Sequence, residues 1–202
     1  MSDLDHFDLL DLHMDPQSKT ITTNKSSRAL NAELDHLNTL HRALVSAGLK
    51  SGVPASPVPV NSKRSSQVVK LGENGNTEYR KGKHAEAGRL YSLGIQMAAQ
   101  RPFWEPAALV REELSGLYAN RAQVHMSQQN WPEGAIDADA SVAAKQMGNP
   151  KGWWRKGRCL VEMGRLAEAR EWVKRALEVE GEEVDLVALL KEIEGSLQKG
   201  RM

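Results

Sequence analysis

Three kinds of patterning succeed one another along the 202 residues. Phe7 to His13 and Thr20 to Thr23 are short mixed apolar and polar stretches flanking the turn-like Asp15-Pro16-Gln17-Ser18-Lys19, which predicts two short strands. From about Ser27 to Ala47, Leu30, Leu37, Leu40 and Leu44 recur at helical spacing and predict an amphipathic helix. Across residues 51–66, Pro54, Pro57 and Pro59 sit among serines and valines with no period, the mark of an extended linker. Everything beyond it has a helical period. The chain therefore divides into an N-terminal unit (1–50), a linker (51–66) and a helical domain (67–202). A unit of some fifty residues buries too little surface to stand alone. It either leans on a partner or packs onto the larger domain.

The helical domain repeats itself. Gly75, Asn76, Tyr79, Gly82, Ala87, Tyr91 and Gly94 read as helix, glycine-marked turn, helix. The same skeleton returns in Trp153, Trp154, Gly157, Gly164, Ala169 and Ala176, and aligning the two superimposes Gly75 on Gly157, Gly82 on Gly164 and Ala87 on Ala169. A middle copy from Tyr118 to Ile136 lacks the turn glycine and carries Gly134 at the small crossing position. Arg101-Pro-Phe-Trp-Glu-Pro106 lengthens the connection between the first and second copies. After the third copy, Leu186, Leu189, Leu190, Ile193 and Leu197 form one apolar stripe on an otherwise charged helix, as a cap over an open end requires.

This skeleton resembles the tetratricopeptide repeat, a helix pair of about 34 residues whose stacked copies bury one another's apolar faces. The resemblance implies a mostly α protein: three tetratricopeptide helix pairs plus a capping helix in a right-handed α-solenoid, preceded by the small unit of short strands and one helix. It also implies that the first helix of each pair lines the concave side. In chaperone-binding members of the family, two lysines, two asparagines and an arginine on that side hold the terminal carboxylate and aspartate side chain of an acidic tail.

Four of those five positions match here, as Asn76, Asn120, Lys151 and Arg155. Lys151 and Arg155 are four residues apart and so share a helix face, where an ammonium and a planar guanidinium can grip separate oxygens. An asparagine amide can donate to a carboxylate while accepting from a neighbour. The fifth position holds Gly72 instead of lysine. Lys70 replaces it only if the first helix begins late or bends. Taken singly, Asn76 also suits a helix-start cap, Asn120 an ordinary polar helix position, and Lys151 with Arg155 a solvated face. Their joint occurrence over three copies favours the carboxylate clamp.

The order of parts, a small mixed unit, a proline-containing linker and three capped repeats, further resembles the small cytosolic repeat-bearing subunits of the fungal post-translational Sec translocation complex. That resemblance implies an adaptor at the cytosolic face of the endoplasmic reticulum. Its N-terminal unit would bind a membrane-anchored sister subunit, and its groove would receive heat shock protein 70 tails, recruiting secretory precursors. A soluble co-chaperone adaptor with no membrane tie is the other reading these motifs allow.

Composition narrows the field. With 27 Lys+Arg against 26 Asp+Glu, the net charge of +1 gives no global field for nucleic acid or anionic membrane, so electropositive function must be local. No apolar run approaches the roughly 20 residues of a membrane span, and the acidic start does not read as a secretory signal. The one cysteine, Cys159, excludes an internal disulfide framework and suits a packing role. His6, His13, His36, His41, His84 and His125 lack metal-ligand spacing, and Gly72-Glu-Asn-Gly75 lacks the lysine and hydroxyl of a phosphate loop, so no metal, cofactor or nucleotide is expected. The basic run Lys151 to Arg158 scatters around its helix, against a nucleic-acid patch. An enzyme would need a catalytic constellation in residues 1–50, and none is visible.

Overall fold

The computed structural model describes residues 10–46, 61–102 and 105–199. The expected strand residues from Phe7 to Leu9 and most of the expected linker lie outside them. By its internal contacts the chain divides between Pro59 and Val60 into two units.

In the first unit β1 (Leu12–Met14) pairs antiparallel with β2 (Ile21–Thr23), Met14 opposite Ile21. Asp15 makes the turn: its Oδ1 accepts from the backbone N–H groups of Gln17 and Ser18 at 2.9 and 2.5 Å. These donors hold its carboxyl below the usual range. α1 (Arg28–Ser46) starts where the Ser27 hydroxyl accepts from Leu30 N at 3.1 Å. Asn38, buried on α1, accepts from Ile21 N at 2.7 Å and donates to Ile21 O at 2.9 Å, pinning strand to helix. This departs from the all-leucine stripe expected of α1: Leu37 is exposed, because the buried face turns on Asn38 beside it. Leu12, Met14 and Val45 are exposed as well.

The second unit contains α2 (Ser62–Arg80), α3 (His84–Ala99), α4 (Ala107–Ser127), α5 (Trp131–Ala144), α6 (Pro150–Glu162), α7 (Leu166–Glu180) and α8 (Val184–Lys199). The first of these corrects the expected linker end, since residues 62–66 are already helical. Asn61 is the reason: its Oδ1 accepts from Arg64 N at 3.1 Å and caps the helix four residues before the linker was expected to finish.

Sequential helices pair as three hairpins capped by α8. The hairpin turns are built alike. Lys83 N donates to Glu78 O, Asn130 N to His125 O and Arg165 N to Leu160 O, each reaching five residues back, the closure that needs one left-handed residue. Gly82 and Gly164 supply it at φ 75° and 74°; the middle copy uses Gln129 at φ 60°, so the missing glycine changes the residue and not the turn. Within the first and third hairpins a glycine lets the helices cross. A Cβ on Gly75 would stand 2.5 Å from the Tyr91 ring, and one on Gly157 would stand 2.8 Å from Val173, each neighbour sixteen residues further on. Gly134 meets Cys159 Sγ in the same way at 3.0 Å. That contact confirms Cys159 as a packed core residue, its thiol pushed by burial up to about 12.

The lengthened connection between α3 and α4 is an ionic knot. Arg101, buried, donates through Nε and Nη2 to both Glu113 oxygens (2.8 and 2.6 Å), through Nη2 to Ser65 Oγ (2.9 Å), and pairs with buried Glu105. Glu105 in turn accepts from Asn61 N at 3.2 Å. Desolvated charges are least costly when so fully bonded. Here the bonding fixes where α2 begins.

Candidate peptide-binding groove

Along one side of the second unit α2 approaches α4, α4 approaches α6 and α6 approaches α8, whereas among the described residues no Cα atoms of α3, α5 and α7 come within 8 Å of one another. The first helices therefore crowd together on the shorter, inner side. Asn76 lies on α2, Asn120 on α4, Lys151 and Arg155 on α6.

The asparagines meet. Asn120 Nδ2 donates to Asn76 Oδ1 at 3.2 Å, and the buried Tyr91 hydroxyl donates to the same oxygen at 2.7 Å. Two donors on one oxygen fix the Asn76 amide, so its NH2 points away from both and is left to donate elsewhere. Mid-helix in α2, Asn76 is not a helix-start cap.

Arg155 approaches from the other side. Its Nε donates to Gln123 Oε1 on α4 at 3.1 Å, while Nη1 is buried with no hydrogen-bond partner among the described residues. Burial pushes its pKa below the ordinary guanidinium value, opposed by nearby Tyr79 and Tyr91. A half-buried cation with one buried, unmet donor is costly unless an anion arrives to meet it. Lys151, one turn earlier, is exposed and shares with Arg155 a cavity of about 330 Å³ lined also by Gln123, Trp154, Glu183, Asp185 and Leu186.

At the fifth position, α2 runs unbroken through Gly72, and since it starts at Ser62 the late-starting helix that would let Lys70 substitute is not present. A Cβ on Gly72 would meet only Leu117 Cδ2 at 3.5 Å, an ordinary contact. A β-carbon at the missing position therefore fits without a clash.

Tyr91, Gln123, Glu183 and Asp185 escaped the sequence reading. Tyr91 was within reach, since it stands opposite Gly75 as Val173 stands opposite Gly157. The larger cavity of about 710 Å³ between α5, α6 and α7 offers less. Its Lys156 is already bonded to Asp139 at 2.6 Å and lies 3.8 Å from the Trp172 ring centre. Among the described residues no three of His, Cys, Asp and Glu gather as a metal site.

No family model matches the chain. It is 35% identical over 124 residues to the ER protein translocation subcomplex subunit sec67 of Schizosaccharomyces pombe, an alignment covering 61% of this chain and 64% of that protein, just under two thirds of its length. With the translocation protein SEC72 of Saccharomyces cerevisiae it is 28% identical over 187 residues, 91% of this chain and 94% of the other. A chain of the Sec complex from S. cerevisiae, solved by cryo-electron microscopy, superimposes with a TM-score of 0.69 at 25% identity, covering 95% of this chain and 100% of that one. The second unit has the tetratricopeptide-repeat fold, and the chain as a whole resembles the small repeat subunits of the Sec translocation complex. The tetratricopeptide fold extends to the second such domain of human RPAP3, solved in complex with the HSP70 peptide SGPTIEEVD, with a TM-score of 0.54, 22% identity, and coverage of 65% of this chain and 98% of that one. No described helix of this repeat protein is long and apolar enough to cross a membrane.

Proposed function

We propose that this repeat protein is a non-enzymatic adaptor of the endoplasmic-reticulum translocation machinery, working at the cytosolic face, whose groove binds the acidic C-terminal tail of heat shock protein 70 chaperones and so recruits secretory precursors. The observation that carries the reading is the pairing of an Asn76 amide fixed with its NH2 outward and an Arg155 guanidinium holding an unmet buried donor. Both groups ask for the same thing, an anionic acceptor with several lone pairs. A terminal carboxylate is the one such group every protein tail carries.

The likeness to the Sec complex chain runs through both units, which supports a translocation adaptor over a soluble co-chaperone: the RPAP3 domain matches the repeats alone. Residues 1–50 we assign to a membrane-anchored sister subunit. Among the described residues, the exposed Leu12, Met14, Leu37 and Val45, beside a sheet of two strands, offer an apolar surface and strand edges for a partner to cover.

Titration of the full chain with a heat shock protein 70 tail peptide, free-acid and amidated, tests the groove. The free acid binds at least tenfold tighter, a difference of about 1.4 kcal/mol or more, and equal affinities overturn the clamp. In the same experiment a chain lacking residues 1–50 keeps the tail affinity and loses co-purification with the membrane-anchored partner. Retained co-purification overturns the anchor assignment.

A further inference from the structure

The cavity beside the clamp holds charges of both signs. Lys151 and Arg155 enter it from α6; Glu183, just before α8, and Asp185, in the first turn of α8, enter from the opposite side, with Trp154 among the lining residues. None of the Lys151, Glu183 and Asp185 side chains has a hydrogen-bond or ion-pair partner among the described residues, so the opposite charges share a cavity without neutralising one another. Elsewhere on the same helix Lys156 pairs with Asp139 and Arg158 with Glu162 and Glu192. The acids on this rim are therefore a departure from how α6 treats its other charges.

We propose that the groove selects tails in which a lysine or arginine precedes the acidic end, the cation seated against Trp154 and held by Glu183 and Asp185. The inference rests on the clamp reading and names the sequence class that the clamp prefers. Arg155 bonds to Gln123 on α4, the helix that carries Asn120, and lines the same cavity as Lys151, so a carboxylate held by Asn76, Asn120 and Arg155 would send its upstream residues past Lys151 toward α8. An acidic side chain arriving there meets two carboxylates at close range. A basic one meets two carboxylates and an indole, a combination of ion pairing and aromatic contact that suits ammonium and guanidinium groups alike. With Gly72 supplying no charge at the other end, this cavity gives the groove its main means of telling one tail from another.

The experiment is a lysine walk. Free-acid tail peptides of one parent sequence, glutamate-rich upstream of a terminal aspartate, carry a single lysine at each upstream position in turn. They are titrated against the full chain and against Glu183→Gln with Asp185→Asn, whose fold is checked by circular dichroism. At one or two positions the lysine tightens binding about tenfold, and the double variant reduces that gain to twofold or less. No gain at any position, or a gain undiminished in the double variant, overturns the proposal. Amidated versions of the same peptides separate the two readings. If amidation abolishes binding while lysine brings no gain, only this inference fails; if amidated and free tails bind alike, the clamp fails and the lysine ranking is still measured.

Discussion

The two ends of the groove are built on different principles. At the α2–α4 end, Asn76, Asn120 and Tyr91 satisfy one another through a shared oxygen, with bonds of 2.7 and 3.2 Å and no formal charge. At the α6–α8 end stand the ionisable Lys151, Arg155, Glu183 and Asp185, and among the described residues only the Arg155 side chain is bonded, through one nitrogen, to Gln123. A neutral, preformed network supplies geometry at little cost on binding, because nothing in it has to move. An unsatisfied charged cavity supplies binding strength and selectivity, at the cost of keeping ions in a site without partners until the ligand comes. The comparison assigns shape recognition to one end and charge recognition to the other.

Placing a cation at the neutral end breaks that division, and it has the largest expected effect. Gly72→Lys puts an ammonium one helical turn before Asn76, where the backbone already leaves ordinary contact distance to Leu117. A new charge-assisted bond is worth about 1.5–3 kcal/mol, or roughly ten- to a hundredfold in tail affinity. Calorimetric titration over a range of salt shows a tighter Kd and a steeper salt dependence, since one more ion pair is screened. An unchanged Kd with an intact fold means that the carboxylate does not sit beside Asn76.

Removing the cation at the charged end sharpens the same division. Arg155→Met keeps the length and apolar stem of the side chain and deletes the half-buried charge. Tail affinity falls about tenfold, or about 1.4 kcal/mol. Stability moves the other way. The folded state lowers the guanidinium pKa through burial, so the folded state disfavours the charged form, and eliminating it stabilises the fold at every ordinary pH. Thermal unfolding of the free protein then occurs at a higher temperature. A lower Tm together with lost binding identifies Arg155 as a packing residue instead.

Much of this was legible in the chain because the repeat forces the same residue types to the same places. Gly75 and Gly157 announce close helix crossings, and the four-residue step from Lys151 to Arg155 puts both on one face of α6 whatever the tertiary detail. Boundaries were less legible. The prolines and serines suppress helical period and extend the expected linker to residue 66, yet a hydrogen bond from Arg64 N to Asn61 Oδ1 starts the helix at Ser62. The ionic knot of Arg101, Glu105, Glu113 and Ser65 was out of reach for another reason. Its members lie up to 48 positions apart, and burial of charged side chains leaves no period to read. Glu183 and Asp185 looked like an ordinary acidic helix start, and only their position across a cavity from Lys151 gives them a role.

The smallest expected effect belongs to a residue that never touches the ligand. Tyr91 lies on α3, buried, and its hydroxyl reaches Asn76 through the space Gly75 leaves open. Tyr91→Phe removes one donor from Asn76 Oδ1 and leaves the bond from Asn120, so the amide loses half of what fixes its orientation and can present oxygen instead of NH2 to the carboxylate. Tail affinity drops about three- to fivefold, while the fold loses only the net worth of one hydrogen bond, about 1 kcal/mol. A packing role alone predicts the same affinity loss whether or not Asn76 is present. An orienting role predicts that the loss disappears once Asn76 is itself alanine, since there is no amide left to orient. The double-mutant cycle between Tyr91→Phe and Asn76→Ala therefore decides the matter: a coupling near the full Tyr91→Phe effect makes Tyr91 the positioning residue of the neutral end, and additive losses make it a core side chain that happens to end near the groove.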